Sequence, residues 1–159
     1  MKIKIGFGYD VHQLVDGREL FIGGIKVPSD YGALGHSDAD VLIHAVCDAL
    51  LGAANLGDIG KHFPDTSDEF KGIDSKILLE KVMDLIRSKG YELGNLDATV
   101  CLQAPKIRPS IDKVKACLAE VMDVDVDEVS VKATTTEKMG FVGRGEGISA
   151  YAVVLINKA

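Results

Sequence analysis

Lys2-Ile-Lys-Ile-Gly-Phe-Gly-Tyr9, which continues into Asp10-Val-His12, predicts the first strand of the chain and the start of its chemistry. Side chains two residues apart point to the same face of a strand, so the carboxylate of Asp10 and the imidazole of His12 are expected side by side. The sequence therefore predicts a strand that presents an acid and a histidine together.

His44 is the third member of this predicted group. It lies within a helical pattern over residues 38–55, so it approaches from a second, separately braced element. One carboxylate oxygen and two imidazole nitrogens suit a zinc-like divalent ion, and three protein ligands leave one coordination position open, as in catalytic zinc sites. The alternative is that an exposed Asp-x-His and a helix histidine never meet, because Asp-x-His is a short and common pattern.

Asp40 and Asp48 flank His44 at spacings of four residues and form one polar stripe with it on an otherwise apolar helix. We interpret Asp48 as an acid that orients His12 or His44. For Asp40, the same role and an ordinary helix charge both stay open. Ser37 is predicted to cap the N-terminus of this helix.

The remaining periodicity predicts an α+β fold in a single domain over residues 1–159, with a mixed β-sheet and helices packed mainly on one face. The last strand, residues 148–156, is almost entirely apolar, which predicts burial on both of its faces. Residues 28–35 and 60–68 are predicted to be loops. The other predicted elements are a hairpin of residues 19–22 and 25–27, helices over 75–89 and 109–121, and strands over 97–103 and 129–133.

Composition excludes several classes of partner. The chain has 159 residues, 47% apolar and 26% charged, as is typical of a globular protein. Its net charge of −6 argues against nucleic acid and against an anionic membrane surface as partners. The apolar runs are too short to span a bilayer, and no apolar signal segment is seen at the start, so the cytoplasm is the expected location.

A second informative stretch is Lys132-Ala-Thr-Thr-Thr-Glu-Lys-Met-Gly-Phe-Val-Gly-Arg-Gly-Glu-Gly147. The three threonines offer hydroxyl groups and Glu137 offers a hard oxygen ligand suited to magnesium. The glycines allow backbone amides to approach a phosphate or another subunit closely. The alternative is a glycine-rich turn after a ladder of threonines. Together with the predicted metal site, a diphosphate held by two cations is the favoured interpretation.

Eight motifs in order along the whole chain resemble those of the 2-C-methyl-D-erythritol 2,4-cyclodiphosphate synthases of the non-mevalonate isoprenoid pathway. They are Gly8-Tyr-Asp-Val-His12, His36-Ser-Asp-Ala-Asp40 with His44, Asp48-Ala-Leu-Leu-Gly-Ala-Ala54, Leu56-Gly-Asp-Ile-Gly60, Phe63-Pro-Asp-Thr66, Gln103-Ala-Pro-Lys106, Lys132-Ala-Thr-Thr-Thr-Glu-Lys138 and Gly143-Arg-Gly-Glu-Gly147. Each motif is weak alone, but the set is specific.

The resemblance implies a reaction and its cofactors. The 2-phosphate of a CDP-methylerythritol phosphate attacks the β-phosphorus of the same molecule, forms a cyclic diphosphate and expels CMP. Zinc or a similar divalent cation is implied at Asp10, His12 and His44, and magnesium or manganese at the diphosphate with Glu137 as ligand. His36 and Thr135 match positions that stabilise the transition state.

The resemblance also implies the substrate contacts, with methylerythritol near Asp58 and cytidine on residues 102–108. The implied substrate-binding residues are Asp10, Val11, His12, His36, Ser37, Asp58, Ile59, Gly60, Phe63, Pro64, Asp65, Thr66, Ser67, Leu102, Gln103, Ala104, Pro105, Lys106, Ile107, Arg108, Ala133, Thr134, Thr135, Thr136, Glu137, Phe141 and Arg144.

A homotrimer with active sites between subunits is implied as well, with Phe141 and Arg144 lining a central channel that takes an isoprenoid diphosphate. Two other classes of function stay open from the residues alone. One is a zinc hydrolase that uses metal-bound water and releases an acyclic product. The other is a non-catalytic trimeric module that binds metal or senses isoprenoids.

Overall fold

The computed structural model describes residues 2–158, which fold around one mixed sheet and three main helices. The strands are β1 (Ile3–Asp16), β2 (Leu20–Ile22), β3 (Ile25–Val27), β4 (Tyr31–Ala33), β5 (Tyr91–Cys101), β6 (Val129–Thr134) and β7 (Gly147–Lys158). The helices are α1 (Val41–Ala53), α2 (Ile59–His62), α3 (Ser75–Ser88), α4 (Ile111–Met122) and α5 (Gly140–Gly143).

The main sheet has the strand order β4-β1-β7-β5-β6. β7 is the central strand and runs antiparallel to both β1 and β5, whereas β5 and β6 are parallel. A parallel pair needs a crossover connection, and α4 supplies it between β5 and β6. β2 and β3 form a separate two-stranded hairpin. The predicted α+β class with a mixed sheet is confirmed.

Glycines in β1 allow α1 to lie directly on the sheet. Gly6 and Gly8 face the helices, and a Cβ at Gly6 would overlap the carbonyl group of Ala49, while one at Gly8 would overlap that of Ala45. Ala150 and Ala152 of β7, which pair with Asp10 and Gly8, are fully buried under the same helix layer. Small side chains on both surfaces therefore bring the helix backbone close to the strand that carries Asp10 and His12.

The predicted helices and strands are present, with differences at their ends. β1 runs on to Asp16, and β5 already begins at Tyr91. The prediction that residues 28–35 form only a loop is wrong, because Tyr31–Ala33 pairs with the end of β1 as an edge strand. The prediction that Ser37 caps α1 is also wrong. The N-cap is Asp40, whose carboxylate accepts a hydrogen bond from Ile43 N–H.

The face of the sheet that is turned away from the helices is apolar and exposed. We call it the outer apolar face and define it by Ile3, Ile5, Phe7, Tyr9, Val11, Tyr151 and Val153. The prediction that the last strand is buried on both faces is wrong within the single chain, since Tyr151 and Val153 are 42% and 44% exposed. Among the helices of residues 2–158, none is long and apolar enough to cross a lipid bilayer.

Candidate active site

Asp10, His12 and His44 come together as the sequence predicts. The Oδ2 atom of Asp10 lies 2.8 Å from Nε2 of His12 and 3.1 Å from Nδ1 of His44. The two ring nitrogens, Nε2 of His12 and Nδ1 of His44, are 3.4 Å apart. Within residues 2–158, this is the one group of three or more acidic, histidine or cysteine side chains whose ligand atoms converge in this way.

A backbone carbonyl fixes the ring of His12. Its Nδ1 atom lies 3.0 Å from the carbonyl oxygen of Leu34, the residue that follows β4. A carbonyl oxygen only accepts, so Nδ1 carries the proton and Nε2 keeps its lone pair for a metal. The edge strand that the sequence did not predict thus sets the tautomer of a predicted ligand.

Buried hydroxyl groups fix the ring of His44. Its Nε2 atom lies 3.0 Å from Oγ of Ser75 and 3.1 Å from Oγ of Ser37. The Ser75 hydroxyl donates its own proton to the Asp38 carboxylate, so Ser75 Oγ accepts from the Nε2–H of His44. Nδ1 of His44 is therefore the nitrogen that faces Asp10 and is free to bind a metal.

The charges of the three ligands reinforce one another. Burial opposes ionisation of Asp10. When no metal is bound and both nitrogens of each ring carry protons, His12 and His44 donate hydrogen bonds to Asp10 that outweigh burial and lower the pKa of Asp10 to about 2. A bound metal would take the place of those protons. Burial disfavours the charged form of His44, but the hydrogen bond and charge of Asp10 outweigh it and raise the pKa of His44 above its usual value. A carboxylate and two oriented imidazoles are the donor set of catalytic zinc sites, so the residues fit a zinc-like ion.

The predicted metal ligands share one cavity of about 400 Å³ with Ile59, Gly60, Phe63 and Asp65, four of the residues implied for methylerythritol. His36 lies in its wall, where its Nε2–H donates to the carbonyl of Ser67 at 3.1 Å. Asp58 is exposed and caps α2, and Val11 lies on the outer apolar face. The cavity is lined by Asp10, His12, Gly35, His36, Ser37, His44, Asp48, Ile59, Gly60, Phe63, Asp65, Phe70, Ile73 and Leu78, which leaves Val11, Asp58, Pro64, Thr66 and Ser67 outside the lining.

The two acids of the polar stripe do not orient histidines. Asp48 accepts from Ile59 N–H at 2.8 Å, so the prediction that it orients His12 or His44 is wrong, because both nitrogens of both rings have other partners. Asp40 is fully buried and accepts from the N–H groups of Gly23 and Gly24 at 2.9 and 2.7 Å. The open question about Asp40 is thereby answered: it joins the β2–β3 hairpin to α1.

The residues implied for cytidine line a second cavity, of about 550 Å³, which we call the base pocket. Its lining is Leu102, Gln103, Pro105, Lys106, Ile107, Arg108, Pro109, Ala133, Thr134 and Thr135. Ala104, Thr136 and Glu137 adjoin it without lining it. The Glu137 carboxylate is exposed and is not part of the Asp10–His12–His44 group.

The two cavities are separate within one chain. They share no lining residue among those that the structure describes. The strand register aligns Asp10 with Ala150, Ala150 with Val100, and Val100 with Ala133. Asp10 and Ala133 therefore lie three strand spacings apart, roughly 14 Å across the sheet. His36 and Thr135, the two residues implied for the transition state, belong to different cavities.

Phe141 lies in a third cavity, of about 600 Å³, beside Val11 and Gly147. The Arg144 guanidinium is exposed and bound to the Glu146 carboxylate at 2.6 Å. Sequence reasoning missed the residues that orient the ligands, namely Leu34, Asp38 and Ser75. The sequence places Asp38 just before α1 and Ser75 at the start of α3, but it gives no sign that Ser75 contacts His44.

Comparison with known proteins identifies the same family that the sequence motifs resemble, over nearly the whole chain. The profile of the YgbB family matches residues 3–157. A 2-C-methyl-D-erythritol 2,4-cyclodiphosphate synthase from Phocaeicola vulgatus is 67% identical over 159 residues, which is 100% of this chain and 99% of that protein.

Solved structures agree. The bifunctional IspDF of Campylobacter jejuni is similar with a TM-score of 0.96 and 41% identity over 99% of this chain, although the chain spans only 43% of that protein. A CDP-bound form of 2C-methyl-D-erythritol-2,4-cyclodiphosphate synthase has a TM-score of 0.90 and 36% identity, with 97% of this chain and 100% of that one covered.

Proposed function

The chain belongs to the YgbB family and catalyses the 2-C-methyl-D-erythritol 2,4-cyclodiphosphate synthase reaction; we propose that it does so as a metal-dependent, CMP-releasing phosphorus–oxygen lyase. The reaction converts 4-diphosphocytidyl-2-C-methyl-D-erythritol 2-phosphate into the cyclic 2,4-diphosphate and CMP, in the non-mevalonate pathway to isoprenoids. The observation that carries the proposed mechanism is the convergence of Asp10, His12 and His44 with both imidazole rings held in the metal-binding tautomer.

The chemistry is an intramolecular phosphoryl transfer. An oxygen of the 2-phosphate forms a bond to the β-phosphorus, and the bond from that phosphorus to the oxygen shared with the α-phosphate breaks. CMP leaves with that oxygen, and no water is consumed. Such a transfer needs positioning and charge stabilisation more than a protein nucleophile.

The residues of the metal cavity would place the attacking end of the substrate. Asp10, His12 and His44 would hold a zinc-like ion, which supplies Lewis-acid polarisation of phosphate oxygens when bound. His36 and Ser37 line the same cavity as the three ligands and would contact the same phosphates from its wall. Ile59, Gly60, Phe63 and Asp65 would enclose the methylerythritol part.

The residues of the base pocket would place the leaving group. Lys106 and Arg108 bring positive charge to a chain of net charge −6, and Thr135 brings a hydroxyl group to the same pocket. Glu137, two residues after Thr135, carries an exposed carboxylate, which is a hard oxygen ligand. One carboxylate with substrate phosphates is a common environment for magnesium, so Glu137 fits the proposed magnesium or manganese ligand.

We further propose a homotrimer in which one subunit gives the metal cavity and a neighbour gives the base pocket. The outer apolar face supports this proposal, because an exposed face with Ile5 and Phe7 at 71% and 61% exposure is typical of a protein–protein interface. Phe141 and Arg144 would then line a central channel for an isoprenoid diphosphate, although Arg144 already pairs with Glu146.

The decisive experiment is incubation of the protein with the CDP-methylerythritol phosphate substrate in oxygen-18 water, followed by phosphorus NMR and mass spectrometry. The expected result is a cyclic diphosphate and CMP, both without label. Label in either product would indicate a zinc hydrolase instead. Binding of CDP without release of CMP would indicate a non-catalytic module. Removal of metal with a chelator should abolish turnover, and zinc or a similar ion should restore it.

A further inference from the structure

The loop that carries the base pocket is tied to the opposite edge of the sheet by one side chain. The hydroxyl group of Tyr31 donates a hydrogen bond to the carbonyl oxygen of Ala104, 73 residues further along the chain. Tyr31 belongs to β4, where it pairs with Asp16 of β1. Ala104 belongs to residues 102–108, which form most of the base pocket.

Tyr31 and Ala104 both lie outside the pocket lining, in the part of the chain that the structure describes. Gln103 and Pro105, on either side of Ala104, do line the pocket. The Ala104 carbonyl is therefore turned away from the pocket and toward Tyr31. Among the hydrogen bonds of residues 2–158, Tyr31 reaches this loop through the backbone of Ala104.

Two further hydrogen bonds join residues 102–108 to β6 and to the segment that follows it, on the side of the sheet opposite to β4. Leu102 N–H donates to the carbonyl of Thr134 at 3.0 Å, and the side-chain oxygen of Gln103 accepts from Lys138 N–H at 3.2 Å. Tyr31 adds a hydrogen bond from β4, so the turn at Ala104 is bonded both to β6 with its following segment and to β4, at the opposite edges of the sheet.

We propose that Tyr31 is a positioning residue of the nucleotide pocket, which fixes residues 102–108 in the shape that receives the cytidine diphosphate part of the substrate. The proposal rests on the proposed function, since the pocket takes its ligand from that assignment. The same short segment also braces the metal centre, because the carbonyl of Leu34, directly after β4, orients His12. Residues 31–34 therefore contact both the metal centre, through Leu34, and the loop of the base pocket, through Tyr31.

The test is Tyr31→Phe in the metal-loaded protein, which keeps the ring and removes only the donor. The dissociation constant for CDP and the KM for substrate should rise about three- to tenfold, which is the value of one hydrogen bond, with kcat unchanged. Amide hydrogen exchange in residues 102–108 should become faster, whether or not a nucleotide is present. Tyr91→Phe is the matched control, because Tyr91 lies at the other end of β5, paired with Lys158.

Unchanged CDP affinity and unchanged exchange in Tyr31→Phe would overturn the proposal while the proposed function stands. A lower kcat at constant KM would also overturn it, since that result indicates general damage rather than a misplaced pocket. Failure of the unmodified protein to bind CDP would overturn the proposal together with the assignment of the base pocket.

Discussion

His44 uses both of its ring nitrogens, and the two uses depend on each other. Nδ1 faces Asp10, while Nε2 donates to the buried hydroxyl group of Ser75, which in turn donates to the Asp38 carboxylate. Ser75 is fully buried and also donates its backbone N–H to the other oxygen of Asp38, at 3.0 Å. The carboxylate thus acts on the metal ligand through an inserted serine, in place of the direct carboxylate–histidine contact seen at many zinc sites.

Ser75→Ala should weaken metal binding about 10- to 100-fold, the usual effect of losing a residue that orients a metal ligand. Nε2 of His44 would keep only the Ser37 hydroxyl, which can donate as well as accept, so the tautomer with its proton on Nδ1 would become populated. Metal affinity measured by chelator competition is the readout. Ser88→Ala, at the exposed end of the same helix, is the control and should leave the affinity unchanged. Equal affinity in both variants would show that Ser75 does not orient His44.

The ligands themselves could be predicted from the sequence, but their supports could not. Asp10 and His12 follow from strand periodicity, and His44 stands out as a polar residue on an apolar helix. Ser75 meets His44 across 31 residues, through a contact that depends on how α1 and α3 pack. The prediction that Asp48 orients a histidine was wrong for the same reason. Its spacing places it on the polar stripe with His44, but its carboxylate accepts a hydrogen bond from Ile59 N–H.

At the scale of elements, the distance between α1 and β1 determines whether the metal centre forms. His44 comes from the helix, and Asp10 and His12 come from the strand. Gly8 lies against the carbonyl of Ala45, the residue after His44, with no room for a Cβ. The alternation of glycine with large apolar residues in β1 thus serves two surfaces, a helix contact on one side and the outer apolar face on the other.

Gly8→Ala should destabilise the fold by about 1–3 kcal/mol, as overpacking commonly does, and should also weaken metal binding, because the helix must move away from the ligands on β1. Gly52→Ala is the control. Gly52 is exposed in α1 with no neighbour near its ideal Cβ, so alanine there should stabilise the helix by about 0.5–1 kcal/mol. Urea unfolding and chelator competition measure the two effects. Gly8→Ala with the stability and metal affinity of Gly52→Ala would refute this account.

Long elements were predictable and short ones were not. The periodicity of α1, α3 and α4 and the apolar run of β7 identify these elements from the sequence alone. β4 has three residues, one of them Gly32, so its local sequence resembles a loop. Its pairing depends on the extension of β1 to Asp16, and the start of α1 depends on the contact of Asp40 with the β2–β3 hairpin. Both are tertiary effects that a local pattern does not contain.

At the scale of the molecule, three observations support the proposed trimer. The metal cavity and the base pocket are separate in the chain, His36 and Thr135 lie in different cavities, and the outer apolar face exposes large apolar side chains, as protein–protein interfaces do. A cyclic arrangement of three chains would cover that face and set the metal cavity of each subunit against the base pocket of the next. Each chain would then contribute its metal cavity to one active site and its base pocket to another.

This arrangement predicts complementation between inactive chains. His44→Ala damages the metal half, and a Lys106→Ala, Thr135→Ala double variant damages the base half. When the two are co-expressed in equal amounts, about one quarter of the sites should combine two intact halves, so about one quarter of the unmodified activity should return. Co-expression of His44→Ala with Asp10→Ala is the control, since both lesions lie in the metal half and no intact site can form. Mass spectrometry of the intact assemblies establishes that mixed trimers are present. Mixed trimers without activity would mean that each chain builds its site alone, and the outer apolar face would then need another explanation.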